Sequence, residues 1–379
     1  MTAFAEFVST LFVFVLASQG VSLLSAPVFI SRASAAAPEV NSASATEQCF
    51  KCHSQPGKKL RFQDGTAKSI YIDKAEWMGS IHGNILVCVD CHKGMTPNHA
   101  LVPKKTRFKN AREYTFERSN TCQHCHYAYY TRFLDSIHYK LQSAGNREAP
   151  VCVDCHGSHA MTDPQLPRVE ISRKCGRCHT DVYRKYQASV HGQALESDNQ
   201  DVPVCTDCHA AHAIANPTSG RFHVTSYNLC AKCHSDQKRM KRYNLNPDVL
   251  STYLDDFHGA SNRAYAASTG APQKAIATCT DCHGIHDIKP FMGATASHSR
   301  ADVRERLVGT CRKCHAEATV SFADAWLSHY PPTLKTAPLV WLVKWFFKIA
   351  NPTLIALFVL NILLNLWRAG ARRTRGSQI

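Results

Sequence analysis

Cysteine occurs 18 times in this 379-residue chain, and every one lies in a Cys-x-x-Cys-His unit. The pairs are Cys49/Cys52, Cys88/Cys91, Cys122/Cys125, Cys152/Cys155, Cys175/Cys178, Cys205/Cys208, Cys230/Cys233, Cys279/Cys282 and Cys311/Cys314. The histidines that follow are His53, His92, His126, His156, His179, His209, His234, His283 and His315. Two thiols at this spacing add to the two vinyl groups of a haem, and the adjoining histidine binds its iron on the proximal face. Nine units with no cysteine left over therefore predict nine covalently attached haems c. The competing readings are a zinc array, a thioredoxin-like redox pair and a disulfide framework. Zinc sites do not require a histidine after every second cysteine, and a disulfide scaffold would not space every pair alike.

The units alternate between two kinds. Five carry a basic residue or histidine before the second cysteine (CFKCH, CQHCH, CGRCH, CAKCH, CRKCH), and four carry aspartate there (CVDCH twice, CTDCH twice). A further histidine stands between them in a recurring setting: SIHG at His82, SIHY at His138, SVHG at His191 and DFHG at His258, with LSHY at His329 after the last motif. The chain reads as four two-haem repeats and a half repeat, an array in which each unit buries a face against the next.

Of 21 histidines, nine are proximal. The five just named occupy the position between motifs, and His99, His159, His212 and His286 follow the aspartate motifs. Nine candidates thus meet nine distal positions, which predicts two histidines on every iron. His124, His223 and His298 are left over, with His223 the first substitute should an assignment fail. His99 fits least well, because it follows His92 by seven residues where the others follow by three; Met95 is nearby, and a methionine there would raise that haem's potential.

Spacing also says what these histidines cannot do. His156 and His159 are too close in sequence for the chain to pass round a porphyrin, so His159 must serve another haem. His126 to His138 and His179 to His191 each cover 12 residues, about 18 Å if helical. Tyr130, Phe133, Leu134 and Ile137 follow a helical i, i+3, i+4, i+7 pattern. Such a helix would tie one haem to the next.

The elements that hold these sites are short. Residues 38 to 335 form the haem region, too little polypeptide for nine haems and an ordinary core, so the porphyrins must supply much of the buried apolar surface. The expected fold is mainly α with much irregular loop, plus one C-terminal transmembrane helix. The formal charge of +15 would normally suggest nucleic acid. Nine haems bring roughly eighteen propionate charges, partly offset by ferric iron, which gives the basic excess a nearer partner. Nucleic-acid binding is not expected.

Residues 1 to 37 read as an export signal, with an apolar run over 7–30 followed by SRASAAAPEV. The run is long and no Lys or Arg precedes it, so an uncleaved anchor is the alternative. At the other end, Ile349 to Trp367 carries no charge and is about long enough for a bilayer of roughly 30 Å. Arg368, Arg372, Arg373 and Arg375 follow and should remain cytoplasmic. Residues 336 to 351, with Trp341, Trp345 and Phe346 beside Lys344 and Lys348, suit an amphipathic helix at the headgroup level. Asn351 and Pro352 read as cap and first position of the spanning helix, residues 352 to 369, which leaves 370 to 379 as a basic tail. Asn361 and Asn365 share a face of that helix, either as tolerated amides or as a contact with another membrane subunit.

The paired motifs over residues 49 to 329 resemble those of the cytochrome-c3-like, doubled Cys-x-x-Cys-His superfamily. The tail KWFFKIANPTLIALFVLNILLNLWR resembles anchors of inner-membrane multihaem cytochromes from bacteria that respire metals or sulfur compounds. The resemblance implies a subunit that takes electrons from a quinol-oxidising membrane cytochrome b and passes them to periplasmic or outer carriers. The chain departs from the tetrahaem quinol dehydrogenases, which are anchored at the N-terminus, so direct quinol oxidation is not implied. Electron transfer is the expected function. The alternative is a reductase or oxidase of a small nitrogen or sulfur compound at an open-site haem, with Tyr127, Tyr129 and Tyr130 lining its pocket. A structural haem filament is disfavoured by the anchor.

Overall fold

The computed structural model describes residues 42–97, 99, 106–165, 167–266, 276–290, 300–324 and 329–376. Residues 1 to 37, read above as an export signal, and His298 lie outside them. Short helices joined by loops make up the haem region, and one long helix ends the chain. A small hairpin interrupts the helical pattern: β1 (Lys59–Arg61) pairs antiparallel with β2 (Ala67–Ser69), Lys59 opposite Ser69.

Each aspartate motif is its own helix, and the aspartate explains why. The residue before the first cysteine (Val87, Val151, Val204 or Thr278) is extended, and its N–H is an orphan of the first turn. Asp90, Asp154, Asp207 and Asp281 accept that N–H at 2.7–2.8 Å. The cap starts a helix of four or five residues that presents both cysteines and the histidine. Behind it the chain turns sharply. Gly157 and Gly284 take φ of +76° and +81°, and Ala210 takes +61° at the same place. With ψ near 180°, that region suits glycine, and Ala210 carries backbone strain there.

The expected helix through Tyr130 and Ile137 is broken in two. It runs Tyr127–Leu134, stops, and restarts as Ile137–Ser143; Thr180–Gln187 and Val190–Glu196 repeat the break. The serine of the Ser-x-His setting causes it. Ser136 and Ser189 are extended and buried, and their hydroxyls accept from Tyr139 N and Gly192 N at 3.0 and 3.1 Å. An N-cap outcompetes continuation of the helix. The glycine after the histidine also has a reason. A Cβ on Gly83, Gly192 or Gly259 would lie 2.0 Å from the carbonyl oxygen of Trp77, Tyr186 or Tyr253. Unit two has Tyr139 there, whose ring packs edge-on against Phe133 instead.

Among the described residues, full burial falls largely on small and polar side chains. The largest of these are Val204, Asn262, Ser136, Ser172 and Ser189. Among the described residues the buried apolar side chains, such as Phe62, Trp77, Phe108, Val224 and Met240, are scattered through the repeats.

The last helix, Pro338–Gly376, has 39 residues. It does not divide at Asn351 and Pro352 as the sequence suggested. Proline in this position removes one backbone bond, and Thr353 Oγ1 donates to Ile349 O at 2.8 Å beside it. The segment Pro338–Arg372 has a mean hydropathy of 1.9 in its most apolar window, with none of that window buried. It is long and apolar enough to cross a membrane.

Candidate haem sites

The nine proximal histidines each face one second histidine. Among the basic motifs, His126 faces His82 (6.0 Å between ring centres), His179 faces His138 (6.3 Å), His234 faces His191 (6.3 Å) and His315 faces His258 (6.2 Å). Among the aspartate motifs, His92 faces His159 (6.0 Å), His156 faces His212 (5.9 Å), His209 faces His286 (6.0 Å) and His283 faces His329 (6.0 Å). His53 of the first motif faces His99 at 6.0 Å.

That spacing is the test of fit for iron. A metal–nitrogen bond of about 2 Å puts an imidazole centre about 3 Å from the metal, so two imidazoles on opposite faces lie about 6 Å apart. All nine pairs meet it. Burial supports the same chemistry. It pushes the pKa of His92 and His191 down to about 4, and lowers those of His82, His138, His159 and His212. A histidine held neutral keeps the lone pair that binds iron. His53 is oriented further by its Nδ1, 2.9 Å from Ile70 O, which the hairpin presents.

The pairs join neighbouring units by a rule. A basic motif takes its second histidine from the unit before it, and an aspartate motif takes its own from the unit after it. The two donated histidines arrive together because the backbone is stitched there. Ile81 N donates to Met161 O (2.9 Å), Ile137 N to Ile214 O (2.8 Å) and Val190 N to Ile288 O (2.9 Å). Each stitch joins the residue before one second histidine to the residue two beyond another. The ends obey different rules, since no unit precedes the first and only half a unit follows the fourth. His99 closes back on its own unit, and His329 stands in for the missing successor. His99 is also the one exposed second histidine, held by bonds within its own turn to Thr96 O.

The cysteines give the order of the sites. The thiols of Cys49 and Cys88, Cys122 and Cys152, Cys175 and Cys205, and Cys230 and Cys279 are close enough to perturb one another's ionisation. The other cysteine of each aspartate motif lies within electrostatic reach of the next basic motif: Cys91 of Cys125, Cys155 of Cys178, Cys208 of Cys230, Cys282 of Cys311. The sites therefore run in a single file in chain order.

Three cysteines remain: Cys52, Cys233 and Cys314. Each is the second cysteine of a basic motif. Cys52 and Cys314, in the first and last motifs, are exposed. Cys52 stands within electrostatic reach of its own partner Cys49, and Cys314 within reach of Cys282. Cys233 is half-buried, and its sulfur accepts from Arg239 Nη1 at 2.8 Å, a bond that a thioether would weaken. Their assignment to haem therefore rests on the motif spacing, while the paired thiols named above also mark where neighbouring sites meet. At the seventh motif Cys208 and Cys279 both approach Cys230, which leaves Cys233 to Arg239. None of the 18 cysteines is in a disulfide. Among the described residues no three His, Cys, Asp or Glu side chains converge as a cation site.

His223 serves elsewhere than at an iron. Its Nε2 donates to Asp281 at 3.0 Å, where Arg112 and Arg168 bind Asp154 and Asp207, both at 2.8 Å. The three are one clamp between the helix ahead of a basic motif and the capping aspartate of the next motif. Sequence reasoning missed it; its signal was a basic residue seven or ten positions before the first cysteine. His223→Arg is expected to keep full haem load and the clamp. His223→Ala should cost on the order of 1 kcal/mol, since the pair is partly exposed. A thermal melt of the three proteins at equal haem content checks this. Tyr127 and Tyr129 are exposed, and Tyr129 lies between His126 (6.3 Å) and His212 (5.0 Å).

Two stretches, residues 144–183 and 197–239, match the family described as the doubled CXXCH motif. Each encloses an aspartate motif and the basic motif after it, so the family's pair is offset by one motif from the repeat read in the sequence. The match supports a multihaem c-type cytochrome with covalently bound haem c and a role in electron transfer. No curated protein and no solved structure matches the chain.

Proposed function

We propose that the chain is a nonahaem electron-transfer protein of the bacterial inner membrane, built of two-haem repeats and anchored by its C-terminal helix. The haem region faces the periplasm, where haem c is attached, and the basic tail from residue 370 lies in the cytoplasm. Its donor is a quinol-oxidising membrane partner such as a cytochrome b, and its acceptors are periplasmic or outer carriers. The observation that carries this reading is that nine of nine proximal histidines face a second histidine, which leaves no iron an open position. Haem c, when bound, supplies a one-electron ferric/ferrous couple. The residues hold each iron between two fixed imidazoles, so a change of oxidation state needs little rearrangement.

The test is the low-temperature EPR spectrum of the oxidised protein, with and without nitrite or hydroxylamine. Only low-spin signals are expected, unchanged by either compound. They should fall into two groups. The aspartate-motif pairs are near parallel (14°, 8°, 28° and 21°), whereas three basic-motif pairs are turned by 55°, 57° and 61°. The relative turn of the two imidazole planes sets the asymmetry of the low-spin iron. A high-spin signal that responds to either compound would reverse the reading in favour of an enzyme.

A further inference from the structure

The file of sites has two ends, and one of them touches the C-terminal helix. Lys344 Nζ lies 3.0 Å from Asp255 Oδ2, at the end of the helix Val249–Asp255. Two residues on is Phe257, and then His258, which faces His315 of the ninth motif at 6.2 Å. Lys344 precedes the uncharged run that begins at Ile349 by five residues, about 7.5 Å of helix. The ninth site is thereby placed beside the boundary between headgroups and hydrocarbon, if the helix spans. The ion pair is exposed on both sides and adds little stability; it records position.

The surface at this end is apolar and open. Phe257 is 80% exposed and meets the His258 ring edge-on at 6.2 Å. Phe322, half exposed, lies 5.1 Å from His315, and Tyr330 is 65% exposed. Nothing in the chemistry of a soluble file calls for aromatic rings around its last member. The membrane helix adds an independent observation. Asn365 Nδ2 donates to Asn361 Oδ1 at 2.9 Å, well inside the uncharged run. This bond leaves the amide hydrogens of Asn361 and the carbonyl of Asn365 for a partner, which lipid tails cannot supply. By helical phase the two asparagines stand about 60 to 100° round from Lys344, so a neighbour on that face would lie beside the ninth site.

We infer that the ninth site is the electron port for an integral membrane protein, which docks on Phe257 and Phe322 and packs a polar side chain against Asn361 and Asn365. This rests on the electron-transfer reading above. Each event moves one electron from the partner's reduced group, which is oxidised, to the iron held by His258 and His315, which goes from ferric to ferrous. No atom changes place. A soluble carrier does not fit, because the aromatic surface adjoins lipid; lipid alone does not fit, because it cannot satisfy the amides.

The experiment uses the full chain in membranes of a bacterium that makes it. Haem reduction is followed optically after adding a respiratory substrate, and separately after dithionite, for wild type, Phe257→Glu, Phe257→Ala and Asn361→Leu/Asn365→Leu. The expected result is that the glutamate variant and the double leucine variant slow substrate-driven reduction by about tenfold or more, and that the alanine variant slows it less. Dithionite should reduce all four to the same final extent, with equal haem per chain. Wild-type rates in the glutamate variant, at equal haem, would overturn the port. A double leucine variant that loses a homodimer but keeps its rate would overturn the amide contact and assign that face to a second copy. A nitrite-responsive high-spin iron in the wild type would instead remove the reading beneath.

Discussion

Replacing His138 by methionine is expected to raise the potential of the haem on Cys175 and Cys178 and to leave the haem on Cys122 and Cys125 where it was. The spacing already separates His138 from the haem of His126, since 12 residues, about 18 Å if helical, lie between them. The structure adds which haem it serves: the second helix restarts at the serine cap, and the His138 ring faces His179 at 6.3 Å. Exchange of an imidazole for a thioether raises the potential of a c-type haem. The shift should be roughly 0.1 to 0.2 V, a fraction of the ~0.8 V over which axial ligands act. Potentiometric titration followed optically would show one component moved upward. Adding Cys175→Ala/Cys178→Ala should abolish the moved component. If removal of Cys122 and Cys125 abolished it instead, the joining rule between units would be wrong. His138→Ala is the stronger form, expected to expose one iron and give a high-spin signal.

Removal of residues 338 to 379 is expected to move the protein wholly from the membrane to the soluble fraction with its haem load intact. The helix that would be lost is uncharged over 19 residues from Ile349 to Trp367, which lipid retains almost irreversibly. The cut spares His329, whose carbonyl accepts from Asn246 Nδ2 and so remains tied to the haem region. Haem-stained gels of the two fractions measure the outcome. A truncated protein that stays in the membrane would mean that the apolar run at residues 7–30 is retained as a second anchor. A soluble product lacking haem would mean that the helix is needed for folding.

The chemistry was legible from the sequence and the wiring was not. Covalent attachment demands its residues at fixed spacing, so Cys-x-x-Cys-His can be read one motif at a time. The second histidines could be counted because SIHG and CTDCHAAH recur. Which iron each one serves depends on backbone bonds such as Ile137 to Ile214, between residues far apart in sequence. A hint was present: Met161, Ile214 and Ile288 each stand two places after a second histidine. The helical pattern through Tyr130 and Ile137 was real, but apolar period cannot see a buried serine that caps the next helix. The hairpin after His53 has only three residues in each strand, too few to announce an alternation. Asn351-Pro352 is a sound start signal for a helix; here the preceding aromatic turn was already helical and simply continued.

The joining rule also sets a timetable. In a chain that crosses a membrane from its N-terminus, His82 has already emerged when Cys122 arrives, and His138, His191 and His258 likewise precede the motifs they face. The basic motifs from the third onward therefore find both axial groups waiting as soon as they are exposed. The aspartate motifs must wait. His209 has no companion until 77 further residues have followed, at His286, and His156 waits 56 for His212. Maturation would then proceed as alternating completed and pending sites, each pending one closed by the arrival of the next unit. A chain stalled midway would leave its last aspartate motif with one histidine only.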